Sequence, residues 1–217
     1  MLRRRIVTAA LGVLVAARVG PARAADPPEA DPGKPMMIRE AALPAGFPAA
    51  GPVATVILKE YPAHRLARTR GGADGDGRMF MKLFRHIERN DIAMTAPVTM
   101  DWSTAAQGGG GTPETMAFLY AKPDLGTAGP DPEDPAVVVE DIPAITVASV
   151  GLRGDYGAAT FRKGRDQVEQ WLREHPEWTA VGPPRMLAYN SPFVPWFLKF
   201  AEVQLPVTRV GDAPQPR

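Results

Sequence analysis

Cysteine is missing from the 217 residues. Its absence excludes disulfide frameworks, thiolate nucleophiles, Cys-ligated zinc, iron–sulfur clusters and covalent c-type haem attachment. A permanent membrane helix is not expected either. The apolar run from Ile6 to Ala17 has twelve residues, which as a helix span roughly 18 Å against a hydrocarbon core of ~30 Å. Arg3, Arg4 and Arg5 precede that run, and Ala22-Arg23-Ala24 follows it with small residues at alternating positions. This is the pattern of an export signal cleaved after Ala24, which places the mature chain in the periplasm or outside the cell. Arg3-Arg4 followed by Ile6-Val7 also fits a loose twin-arginine pattern, so Sec and twin-arginine export both stay open.

Positive charge is lacking once that signal is removed. The first 24 residues hold five arginines and no acid, so 20 basic residues face 24 acidic ones and the net charge is about −4. A slightly acidic chain without a basic stripe has no electrostatic footprint for nucleic acid. Familiar catalytic templates are incomplete too. Val147-Ala148-Ser149-Val150-Gly151 lacks the first glycine of a nucleophile elbow, and the glycine run 108–111 lacks the Lys-Ser/Thr of a phosphate loop. Asp74-Gly75-Asp76-Gly77 lacks the remaining ligands of a calcium loop.

What the chain does have is punctuation: 24 Pro and 21 Gly. That density argues against helical bundles, coiled coils and long buried parallel sheets, and for short strands with many turns. Hydrophobic residues at 45% and charged residues at 23% are ordinary for one globular domain. Residues 25–52 are proline-rich and read as an extended linker, residues 53–207 as the domain, and residues 208–217 as a disordered tail. Residues 103–114 and 122–135 read as surface loops.

Within the domain the chain repeats itself. Strand-like 53–58 and 65–69 flank Tyr61-Pro62-Ala63, and strand-like 137–140 and 145–150 flank Ile142-Pro143-Ala144, 81 residues on. Each pair leads through a glycine-rich turn into a helical pattern: Phe80, Leu83, Phe84 and Ile87 in the first, Phe161, Val168, Trp171 and Leu172 in the second. Two strand-like stretches follow each helix, 92–100 and 115–120, then 185–189 and 197–207. The expected fold is α+β, two pseudo-symmetric β-β-α-β-β repeats with a ligand groove between the halves. Pro97 belongs at an edge, a bulge or a strand start, because proline has no N–H for a ladder.

The Ile92-Ala93-Met94-Thr95-Ala96-Pro97-Val98 block after the first helix, the Ala188-Tyr189-Asn190-Ser191-Pro192 corner and the ending from Pro195 to Val203 resemble the SOUL haem-binding protein family. The resemblance covers residues 53–207. It implies a distorted antiparallel β-barrel flanked by two helices, and non-covalent binding of haem or another tetrapyrrole in a shallow apolar cleft against the first helix. Carried onto this chain, it implies a cofactor-binding set of Phe80, Phe84, Arg85 and His86. A porphyrin is a flat apolar plate with acidic arms, which aromatic rings can stack on and an arginine can pair with. At helical spacing Phe80 and Phe84 also suit an ordinary core, and Arg85 a solvated face.

Glu60 stands where some family members carry a candidate iron-ligating histidine before the tyrosine of the first hairpin. His64, His86 and His175 have capping or surface readings, His86 being the best placed for ligation, and Met79, Met81 and Met94 offer thioethers. The expected protein is therefore an exported monomer without catalytic residues or a metal site, whose partner is a tetrapyrrole or similar apolar anionic small molecule. Two alternatives are a hydrolase on the same scaffold using Glu140 or Glu202, if buried in the cleft, and a carrier of lipids or hydrophobic metabolites.

Overall fold

β-Branched and aromatic residues, suited to a pleated surface, mark most of the strands: β1 Val56–Tyr61, β2 His64–Arg70, β3 Val98–Asp101, β4 Thr115–Leu119, β5 Gly129–Pro130, β6 Val137–Ile142, β7 Ile145–Arg153, β8 Trp178–Ala180, β9 Arg185–Ala188 and β10 Phe200–Arg209. Two helices interrupt them, α1 Asp76–Arg89 and α2 Ala158–Glu174. This computed structural model describes residues 37–71, 76–102 and 113–212. The expected export signal, the glycine run 108–111 and the end of the tail from residue 213 lie outside the described residues.

The fold is α+β, with one ten-stranded antiparallel sheet. Its strands run in the order β1-β7-β10-β9-β3-β4-β2-β6-β5, and β8 pairs onto the far end of β10. The path ends on β1 and β5, and among the described residues no pairing joins those ends. The sheet is thus open where a barrel was expected.

Proline sets two strand boundaries differently from the hydrophobic pattern. Residues 92–97 stay out of the ladder and β3 begins only at Val98, directly after Pro97, which has no N–H to give. The N–H of Ile92 instead closes the end of α1 on the carbonyl of Ile87, at 2.8 Å. After Pro195, residues Trp196–Leu198 coil into one turn of 3-10 helix, so β10 starts at Phe200 and not at Phe197. The hydrophobic pattern does not mark the short strands β5 and β8.

Helices cover one face of the sheet. Leu83 and Ile87 of α1 and Phe161 and Val168 of α2 pack onto Met100, Phe118, Ala148, Val150, Val203 and Leu205 in the main core. A strap without regular secondary structure covers part of the other face. Its Met37, Phe47 and Ala50 pack against Tyr61, Val147, Leu187, Tyr189 and Phe200. Phe47 meets the rings of Tyr61 and His64 edge-on, at 4.9 and 5.0 Å between centroids. Covered from both sides, β10 is buried from Phe200 to Val207.

The helix layer sits close. A Cβ built on Gly164 of α2 would lie 2.5 Å from Val203 Cγ2 and 2.7 Å from Leu152 Cδ1. Glycine at this position sets the spacing between α2 and the sheet, so Gly164→Ala should cost about 1–3 kcal/mol through overpacking, despite alanine's better helix propensity. Urea unfolding of the two proteins measures this.

Candidate functional site

Strands β9 and β3, more than 80 residues apart in the chain, pair through Val98–Ala188 and Met100–Met186. Over this seam lies a cavity of about 610 Å3, within the ~300–1,000 Å3 of small-ligand sites. Val98, Met100 and Ala188 from the seam, with Met116 of β4, line its sheet side, and Gly77, Phe80 and Met81 line it from α1. Met94, Thr95 and Ala96 contribute from the segment before Pro97, and Glu40 and Ala41 from the strap. The remaining wall is the corner Tyr189-Asn190-Ser191-Pro192, with Tyr156 and Lys199.

Asn190 holds the corner together. Its Nδ2 donates to the carbonyl of Ile38 (2.7 Å), its Oδ1 accepts from the N–H of Phe200 (2.9 Å), and its own N–H reaches Tyr156 Oη (2.8 Å). The next residue fixes the strap: the N–H and Oγ of Ser191 donate to the two carboxylate oxygens of Glu40, at 2.7 and 2.6 Å. These bonds, first from the hydroxyl and then from the backbone, hold the Glu40 carboxyl below its ordinary range, with a smaller contribution from the Lys199 charge. The Lys199 ammonium lies 5.3 Å from the centroid of the Tyr156 ring.

The four residues proposed from sequence separate on the structure. Phe80 lines the cavity, edge-on to Phe118 at 5.1 Å. Phe84 stacks on Phe80 at 6.2 Å but is itself exposed and outside the lining set. Arg85 is exposed, one turn beyond Met81 on the stripe that Gly77 and Met81 present to the cavity. His86 is buried away from it, its Nδ1 against the Asp131 carboxylate and its Nε2 2.7 Å from Tyr120 Oη. Both ring nitrogens are therefore engaged.

The other histidines are also placed elsewhere. His64 Nδ1 lies 2.8 Å from the carbonyl of Pro62, and burial pushes its pKa down. His175 stacks on Trp171 at 4.0 Å. Met81 and Met94 offer thioethers to the cavity, whereas Met79 is core. Glu60 borders a different depression of about 410 Å3, with Pro62 and Ala144. Among the described residues no cluster of three or more His, Asp or Glu is arranged to hold a metal ion. Among the described residues the walls are largely apolar and carry no imidazole.

Glu202, singled out as an acid if buried, is wholly buried, but not in the cavity. Its Oε1 accepts from Lys59 Nζ (2.5 Å) and the N–H of Gly51 (2.6 Å), and its Oε2 from Ser149 Oγ (3.0 Å) and Gln204 Nε2 (2.9 Å). Four donors fill the lone-pair sites of a carboxylate. Tyr61 and Tyr189 lie beside it; burial first, and the Glu202 charge second, push both phenols above their ordinary range. Glu140 is paired with Arg68 at 3.0 Å and does not line the cavity.

Fold and site together define an α+β protein whose open antiparallel sheet carries an apolar cavity on its central seam. The chain belongs to the SOUL heme-binding protein family, whose family model matches residues 54–206. No curated protein matches the chain. Among solved structures it is similar to the C-terminal domain of EcmrR, at 20% identity and a TM-score of 0.52, with 72% of this chain and 98% of that one covered. It is also similar to a hydrolase from Listeria innocua, at 12% identity and a TM-score of 0.51, with 72% and 93% covered. At these identities the likeness is one of fold.

Two expected outcomes follow from the buried charges. Lys59→Met leaves Glu202 without a countercharge and should cost about 3–5 kcal/mol, whereas Ser149→Ala removes one donor of four and should cost about 1 kcal/mol; urea unfolding separates them. Asp131 gives a pH signature. Burial alone would raise its pKa, but bonds from His86, the N–H groups of Glu133 and Asp134, and Arg89 outweigh that and hold the carboxyl far below its ordinary range. A depressed carboxylate stabilises the fold above its unfolded pKa of ~3.9 and loses that contribution as pH falls towards the folded value. Asp131→Asn should therefore be less stable than the native chain at pH 7, with the gap narrowing below about pH 4, as read from urea midpoints across that range.

Proposed function

We propose that this protein binds a flat, apolar ligand bearing carboxylates, haem or another tetrapyrrole, non-covalently in the cavity over the β9–β3 seam. The observation that carries the reading is the cavity itself. Phe80, Met81, Met94, Val98 and Met100 supply stacking and aliphatic area, and Lys199 supplies a cation at the wall. Membership of a family described as heme-binding supports the same ligand class. Arg85, one turn along from Met81, is in position for a second acidic arm. Glu40 is the one carboxylate on the wall among the described residues, and Ser191 already occupies both its oxygens.

Bound haem, in this reading, is held by contact area and charge, with no histidine ligand and at most a thioether from Met81 or Met94. The scaffold is read as two copies of one β-β-α-β-β unit. Exchange β1 with β6, β2 with β7, β3 with β9 and β4 with β10, and the order β1-β7-β10-β9-β3-β4-β2-β6 reads the same backwards. The cavity then lies on the seam between the two copies. Export, carried by the pattern from Arg3 to Ala24, completes the proposal.

A hydrolytic reading has less support. The Listeria structure described as a hydrolase shares the fold at 12% identity, while Glu202 and Glu140 are committed to other partners.

Titration of the full chain with haemin, followed by absorbance and tryptophan quenching, tests the proposal. Lys199→Glu and Arg85→Glu each replace an attraction of about 1.5–3 kcal/mol by a repulsion, so each should weaken binding at least roughly tenfold. Glu140→Gln should leave it unchanged. Native affinity in both charge-reversed variants, shown to be folded by circular dichroism, would remove the cavity from consideration, and a low-spin spectrum abolished by His86→Ala would contradict the ligation.

A further inference from the structure

Between Ser191 and the start of β10 the chain gathers its most exposed aromatic side chains on one short loop. Phe193 is 93% exposed, Trp196 66% and Phe197 58%. Single exposed apolar residues are common, but three large rings within five residues on one protrusion are a patch. The loop is ordered from within. Val194 is buried beneath it, and Pro192 and Pro195 fix φ at two of its positions. The N–H groups of Leu198 and Lys199 both return to the carbonyl of Pro195, at 2.9 and 3.2 Å. Trp196 and Phe197 meet edge to face at 5.8 Å. The rings are held outward by a backbone that needs no further ordering.

We propose that this loop docks the protein on a lipid bilayer, with Phe193, Trp196 and Phe197 entering the boundary between headgroups and acyl chains. Two observations favour lipid over a protein partner. Tryptophan and phenylalanine are ring types that settle at this boundary, where the indole N–H stays among the headgroups while the ring is buried. Cations stand at the base of the loop, at the level of lipid phosphates: Lys199 ends it, and Arg153 donates to the carbonyl of Leu198 at 3.2 Å.

The loop is also continuous with the cavity. Ser191, Pro192 and Lys199 line it, as do Met81 and Met94, which are themselves exposed. A docked protein would hold the cavity mouth near the apolar phase, so that an apolar ligand could pass between lipid and protein with little exposure to water. Docking does not depend on which ligand is carried, and its test involves no ligand.

The test uses the full chain with phosphatidylcholine–phosphatidylglycerol vesicles whose acyl chains are brominated. Of the four tryptophans, Trp102 is buried, Trp171 and Trp178 are half-buried, and Trp196 is exposed. Trp196→Phe, subtracted from the native chain, isolates the emission of Trp196. Bromine should quench that emission, and a Phe193→Asp, Phe197→Asp double variant should lose at least roughly nine-tenths of the quenching, with its circular dichroism unchanged. Reading Trp196 itself sets aside any vesicle binding by the apolar run from Ile6 to Ala17. Unquenched Trp196, or equal quenching in the double variant, would overturn the proposal. So would a concentration-dependent dimer in sedimentation velocity that Phe193→Asp abolishes, since the loop would then be covered by a second copy of the chain.

Discussion

Lys59 and Glu202 form an ion pair with almost no access to water, 3% and 0% exposed in their side chains. Removing two charges from solvent costs several kcal/mol per ion, and only tight geometry with every lone pair satisfied offsets it. The four donors to Glu202 come from four places: Lys59 of β1, Gly51 of the strap, Ser149 of β7 and Gln204 of β10 itself. Lys59 also donates to the strap carbonyl of Ala49 at 2.7 Å. Strand order at this edge of the sheet and the course of the strap are therefore one problem with one solution. A strap lying elsewhere would leave a buried carboxylate short of donors.

From that anchor the strap runs back to the cavity, where Glu40 grips Ser191 and Asn190 grips the carbonyl of Ile38. The cavity wall is thus set through a hydrogen-bonded chain that begins on the opposite face of the sheet. Its local electrostatics are balanced: Glu40, kept ionised by Ser191, is near the Lys199 charge. Such a wall offers shape and apolar area, and under the proposed function Lys199 and Arg85 are the groups that would favour an acidic arm.

Much of the fold was legible in the sequence because its signals were local. The stripe of Leu83 and Ile87 announced α1, that of Phe161 and Val168 announced α2, and both stripes are buried as their spacing required. Pro97 was legible as an edge, a bulge or a strand start for a covalent reason, its missing N–H, and the strand begins directly after it. The site was less so. Phe80 and Phe84 look alike one turn apart, yet only Phe80 reaches the cavity, because the direction in which a helix presents its margin is decided by what packs beneath it. His86 looked like a site residue beside Arg85, but its partner Asp131 lies 45 residues away in a loop read as surface, and no local pattern links them. Lys199, Glu40 and Tyr156 were missed for the same reason: each comes to the cavity from a distant segment. Glu202 and Gln204 have the alternation of a half-exposed strand, and only the proline-rich strap on the second face explains their burial.

Part of the cavity wall is made by residues that precede the region shared with the family. Glu40 and Ala41 line the cavity, while the family match begins at residue 54. The strap acts as a faceplate: other residues at these two positions, on the same sheet and helices, would present a differently contoured and differently charged entrance. The contour and charge of the entrance can thus be altered in a stretch of chain bound by no helix or strand geometry, without touching the buried pair that seats it.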